Sequence, residues 1–74
     1  MAIRGKSFDF ASKLHELRMS NKQSQSQLAN ILKVSQDTIS LWELGKSYPD
    51  LKTFYEICKL YEVSADYLIG LREY

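Results

Sequence analysis

The 74-residue chain predicts an all-α fold, a compact bundle of five short helices. Three observations carry that expectation. Apolar residues recur three and four positions apart, and no stretch alternates in the manner of a half-buried strand. A serine or aspartate stands just ahead of each run, where a side-chain oxygen accepts from the free amides of a first helical turn. Two of the runs are separated by little more than Lys33-Val34, so two helices must meet there at a tight angle.

The first helix is expected from Phe8 to Ser20, with Ser7 as its cap and Phe10, Leu14 and Leu17 as its apolar stripe. Asn21-Lys22-Gln23 breaks it. Ser24 opens the second helix, and Gln27 three residues on completes a capping box that satisfies two amides reciprocally. Leu28, Ala29, Ile31 and Leu32 are its expected inward residues, with Ala29 small enough for two helices to cross closely. Val34 is apolar in a polar neighbourhood and is expected to plug the angle of the turn. Ser35 caps the third helix, Gln36 to Leu44, and Gly45 follows as a left-handed C-terminal cap. Pro49 holds Tyr48 extended. Asp50 caps a fourth helix faced by Leu51, Phe54, Ile57, Cys58 and Tyr61. Ser64 caps a fifth that runs to Ile69, with Asp66 near its positive end, and Gly70 stops it. One domain is expected, with a core over 8–70, an N-terminal arm over 1–7 and a tail over 71–74.

The third helix has two unlike sides. At about 100° per residue, Gln36, Asp37, Ser40 and Leu41 centre near about 70°, while Ile39 and Trp42 centre near about 270°. Ile39 and Trp42 therefore dock the helix, and the other four face outward together. Those four are short and, Asp37 apart, uncharged, whereas idle surface favours Lys and Glu. They also lie at the start of the second helix of a helix-turn-helix, the end that meets base edges in the major groove. Charge agrees in sign. Residues 1–49 carry a net +3 and residues 50–74 a net −2, so the half with the helix-turn-helix is the basic one.

With those residues placed, the chain resembles the lambda-repressor-like (Cro/repressor, XRE-type) DNA-binding domains from about Phe10 to Gly70. The resemblance is carried by Leu17-Arg18, Ser24-Gln25, Leu28-Ala29, Val34-Ser35, Thr38-Ile39-Ser40, Trp42-Glu43, Gly45-Lys46, Pro49, Val63-Ser64 and Asp66-Tyr67-Leu68-Ile69-Gly70. It implies a five-helix bundle that binds operator DNA, usually as a two-fold dimer. By position it implies that Gln36, Asp37, Ser40 and Leu41 read bases. Gln25 would touch a phosphate or buttress the readers. Thr38, Lys46 and Ser47 would hold the backbone, with Ser35, Lys22 and Lys33 beside it. Arg18 and Glu43 match a partly buried ion pair. Gln36 suits bidentate reading of adenine, Asp37 can accept from a cytosine amino group, and Leu41 can touch a thymine methyl.

Some positions depart from the family pattern. Lys33 stands where glycine is usual, and a lysine at positive φ costs about 1 kcal/mol. Glu62 replaces another frequent glycine. Gln23 stands where a core leucine is common, so that corner is expected to be less well packed.

Other chemistry has little support. The lone Cys58 has no partner for an internal disulfide and falls on an apolar stripe, which suits a cytoplasmic protein and a buried filler role. His15 has no companion ligand and reads as exposed surface. Paired carboxylates, a phosphate-cradling glycine loop and a nucleophile-and-base pair are all missing from the pattern, so no enzyme, cofactor or metal is expected, and no apolar run suits a membrane span. Arg4 and Lys6 would add to DNA binding if the arm lies on the duplex. The expected function is sequence-specific double-stranded DNA binding, with repression of a palindromic operator by a homodimer. The alternative is an antitoxin-like interaction module that also binds DNA. Only Leu71 to Tyr74 follow the last helix, which leaves little toxin-wrapping segment and favours the repressor. Tyr67, Leu68, Leu71 and Tyr74 are the expected dimer surface, as surplus apolar residues near a terminus.

Overall fold

The computed structural model describes residues 8–72. Five helices follow in order among them: α1 (Ala11–Ser20), α2 (Gln25–Leu32), α3 (Gln36–Glu43), α4 (Leu51–Tyr61) and α5 (Ala65–Ile69). No helix among the described residues is long and apolar enough to cross a membrane.

Local chemistry sets most helix ends. The Ser24 hydroxyl accepts from the Gln27 amide at 3.0 Å, and the Gln27 side chain accepts from the Ser24 amide at 2.7 Å, so the capping box is complete. Ser35, Asp50 and Ser64 accept from the amides of Thr38, Thr53 and Tyr67. The start of α1 differs from expectation. The helix begins at Ala11 with Phe10 at its N-cap and no side-chain cap there, while Asp9, one residue earlier, accepts from the amide and hydroxyl of Ser12. The Asp9 amide donates to the Ile69 carbonyl at 3.0 Å, which ties the lead-in segment to the end of α5 instead of the first helical turn. Ser7 lies outside the described residues. The third helix closes at Glu43, with Leu44 as its cap.

Lys22, Lys33 and Glu62 all adopt left-handed backbone, at φ of 56°, 60° and 56°. Each ends or follows a helix where glycine would be free of the Cβ penalty. Gly45 takes φ 74°, and a Cβ there would meet Ala11 only at an ordinary 3.9 Å, so backbone angle and not space calls for glycine.

The core gathers Phe10, Leu14, Leu28, Ala29, Leu32, Ile39, Trp42, Ile57 and Leu68. Val34, at the turn, packs against it half-buried. Phe10 sets its ring edge-on to Trp42 at 6.4 Å between centroids.

Three expectations of burial are corrected. Ile31 is 48% exposed: Leu28, Ala29 and Leu32 already fill the inner arc of α2, and Ile31 is left on its flank facing Glu56 and Leu60. Leu51 is 82% exposed because the first turn of α4 overruns the core; it lines a shallow groove with Phe54, Tyr55, Cys58 and Ala65. Leu68 is fully buried, so the only α5 leucine anchors the core and is unavailable to a dimer surface. Leu71 remains half exposed and Tyr67 half-buried, with the Lys13 ammonium 4.9 Å over its ring. Tyr74 lies outside the described residues.

Candidate nucleic-acid interface

The outward side of α3 is built by what its inward side buries. Ile39 and Trp42 are 0% and 4% exposed, so the helix is pinned along one edge. Gln36, Asp37 and Leu41 stand exposed opposite them, and Ser40 is half-buried beside them. The N-terminal turn is stiff. Ser35 caps it, and the Ser35 and Thr38 hydroxyls bond each other at 2.8 Å.

The amide of Gln36 does not hang free. Ser26 donates its hydroxyl to Gln36 Oε1 at 3.0 Å. Gln36 Nε2 points to Gln25 Oε1 at 3.5 Å, at the edge of a hydrogen bond. Gln25 in turn donates Nε2 to Glu43 Oε1 at 3.2 Å. The start of α2 therefore carries a polar bracket that orients the first residue of α3. The sequence reading placed Gln25 here and missed Ser26. The signal was available: Ser26 lies one position beyond Gln25 on the turn that faces the start of α3.

Behind the bracket sits a charged clamp. Arg18 Nε donates to Glu43 Oε2 at 2.6 Å and Nη2 to Oε1 at 3.0 Å, a two-pronged contact between α1 and α3. The two side chains are 8% and 7% exposed. Arg18 Nη1 also donates to the Gln23 carbonyl at 2.7 Å, which fastens the break before α2. Burial alone would raise the Glu43 carboxyl. The hydrogen bonds it makes with Arg18 first, then with His15 and Gln25, outweigh that burial and hold the group below the usual carboxylate range. The Glu43 hydrogen bond raises the Arg18 guanidinium further. His15, read from sequence as idle surface, places Nδ1 3.0 Å from Glu43 Oε1.

The cations stand at chain reversals. Lys22 follows α1, Lys33 ends α2, and Lys46 follows Gly45; all three are exposed. The Lys46 amide donates to the Leu41 carbonyl at 2.9 Å, so the loop is fastened to the end of α3, and Ser47 beside it is half-buried. Arg4 and Lys6 lie outside the described residues. A cleft of about 510 Å³ opens between the start of α1 and the α2–α3 corner, lined by Ala11 and Leu44 as well as by Asp9, His15, Gln25, Ser40 and Glu43.

Known proteins share this fold. The chain is 40% identical over 65 residues to the HTH-type transcriptional activator BcrR of Enterococcus faecalis, covering 88% of this chain and 32% of that protein. It spans from about a third to somewhat over half of the length of the curated relatives it matches. The P22 c2 repressor, solved in complex with a synthetic operator, superposes with a TM-score of 0.78 at 25% identity, covering 85% of this chain and 96% of that one. The fold also occurs within a larger chain, the FeII protein HppE solved with its substrate, with a TM-score of 0.74 at 26% identity, covering 88% of this chain and 34% of that one. A family model described as a helix-turn-helix domain matches residues 11–72. With α2 and α3 meeting at Lys33-Val34 and the five helices in the repressor-like order, this chain belongs to the helix-turn-helix domain family, in its lambda-repressor-like form.

Proposed function

We propose that residues 8–70 form the DNA-binding unit of a transcriptional regulator, which sets α3 into the major groove of double-stranded DNA. One observation carries this reading: the Gln36 amide is exposed at the first position of α3 and held from behind by Ser26 and Gln25. A pre-oriented amide loses less freedom on meeting a base edge than a swinging one. Gln36 reads adenine, Asp37 reads a cytosine amino group, and Ser40 and Leu41 complete the base contacts. Lys22, Lys33 and Lys46 neutralise phosphates, helped by the polar groups of Gln25, Ser35, Thr38 and Ser47.

The unit acts as a homodimer on a palindromic operator, with half-sites about 34 Å apart. Six lysines in such a dimer make log affinity fall by about 5 per log unit of salt. The setting is the cytoplasm, where the DNA is. An operator that overlaps a promoter gives repression, in line with the P22 c2 relative. The similarity to an activator supports a second reading, in which a site upstream of the promoter gives activation.

Selection of bound duplexes from a random pool tests the binding reading. Enrichment of a two-fold symmetric sequence is expected, and a pool that stays random sinks it. A reporter with the selected site placed over or upstream of the promoter separates the two signs of regulation.

A further inference from the structure

His15 stands at an unusual crossing. Its Nδ1 lies 3.0 Å from Glu43 Oε1 and 3.2 Å from Arg18 Nη2. One nitrogen cannot serve both. Carrying a proton it donates to Glu43 and opposes the Arg18 guanidinium; carrying a lone pair it accepts from Arg18 and opposes the carboxylate. The choice matters beyond the pair, because Glu43 Oε1 also receives Gln25 Nε2, and Gln25 Oε1 faces the Gln36 amide. The His15 side chain is 52% exposed, and it shares its cleft with Gln25 and Ser40, at the edge of the DNA-reading side. The ionisable groups around it are Arg18 on its own helix, Asp9 ahead of α1 and Glu43 on α3; α2 contributes only the uncharged Gln25.

We propose that His15 is a positioning residue of the DNA-reading face, acting through Glu43 and Gln25 on Gln36, and that its protonation strengthens DNA binding. The inference rests on the DNA-binding reading above. A duplex laid against α3 brings phosphate charge to the mouth of the cleft. That negative potential favours the imidazolium, whose Nδ1–H then donates to Glu43 and completes the clamp. By linkage, a ligand that favours the protonated form is itself bound more tightly as protons become more available. Histidine is the side chain whose charge ordinarily changes between about pH 5 and 8.

The test is fluorescence anisotropy with a duplex selected by the parent chain and with a scrambled duplex, from about pH 8 to about pH 5.5. The parent, His15→Ala and His15→Asn are compared, with circular dichroism to establish that each variant is folded. The parent is expected to gain about threefold to tenfold in affinity for the selected duplex as pH falls, the scale of one ordinary hydrogen bond. His15→Ala should lose that gain and part of the discrimination between duplexes. His15→Asn, whose side-chain amide donates at every pH, should restore discrimination without the pH dependence. A parent that binds while His15→Ala keeps the same pH profile and discrimination overturns this inference alone. A parent that binds neither duplex at any pH overturns the DNA-binding reading and this inference with it.

Discussion

The hydroxyl of Tyr61, in the last turn of α4, donates to Gln23 Oε1 at 2.6 Å, joining residues 38 positions apart. The family resemblance implies a buried leucine at the position of Gln23. This chain fills the corner with a hydrogen bond instead, and the Gln23 carbonyl takes Arg18 Nη1 from the other side. The polar substitution is therefore answered by two partners, and the corner is fastened rather than loose. Tyr61→Phe would leave the glutamine oxygen without its donor. A loss of about 1 kcal/mol is expected, at the low end for a part-buried group, measurable by urea unfolding. Gln23→Leu together with Tyr61→Phe should recover much of it. Burial pushes the Tyr61 hydroxyl up to about 12. Its contribution is full below the ordinary tyrosine range near 10 and disappears as pH rises through about 12. An absorbance titration should show a late ionisation step, and Tyr61→Phe should abolish it.

The Arg18–Glu43 clamp is expected to dominate the response to substitution and to acid. Arg18→Met leaves a buried carboxylate uncompensated and should cost about 3–5 kcal/mol. That approaches the whole stability of a domain this size. Replacing both partners with apolar residues should cost less, and a double-mutant cycle by denaturant unfolding measures the difference. Because the Glu43 carboxyl is held low in the fold, its contribution is present above the ordinary carboxylate range and is lost as pH falls through its depressed value. Thermal unfolding of Glu43→Gln should accordingly show a weaker loss of stability on acidification than the parent.

Two strained positions separate stability from DNA contact. Lys33 and Glu62 both hold left-handed backbone, at φ 60° and 56°. Glycine at either should add up to about 1 kcal/mol of stability. Only Lys33→Gly removes a cation beside the proposed phosphate path, so only it should flatten the salt dependence, by about 0.9 in slope for each monomer bound. Equal salt slopes for the two variants would remove Lys33 from the backbone contacts.

Base reading and backbone holding should also come apart. Gln36→Ala is expected to cost about 1–3 kcal/mol on the selected duplex and to relax preference at one base pair. Lys46→Ala should weaken selected and scrambled duplexes alike. Ser26→Ala, which removes the donor to Gln36 Oε1, should lower discrimination more than it lowers affinity for scrambled DNA.

Self-association is tested on the residues that the fold leaves outside. Leu71 is 50% exposed and Leu68 is fully buried. Leu71→Glu should convert a dimer to monomer in sedimentation while the helical signal survives. Leu68→Glu should unfold the chain instead, because it drives a charge into the core. A dimer unchanged by Leu71→Glu places the contact elsewhere.

The sequence by itself determined what short-range chemistry controls. Ser24, Ser35, Asp50 and Ser64 mark helix starts because each cap bonds an amide three residues away. The spacing of Ile39 and Trp42 says which edge of α3 is buried and hence that Gln36, Asp37 and Leu41 face outward. The helical period also placed most of the core. Only the tertiary structure decided how the helices cross, and with it everything that depends on partners distant in the chain. Ile31 and Leu51 lie outside because an apolar stripe is longer and wider than the patch a neighbour covers. Leu68 went inside because the end of α5 is tied back to Asp9. His15 meets Glu43 across 28 positions, Tyr61 meets Gln23 across 38, and Ser26 meets Gln36 across ten. Periodicity names a face; it does not say which side chain of another helix will stand before it. That is set by the angle and depth at which whole helices pack, a property of all the contacts together.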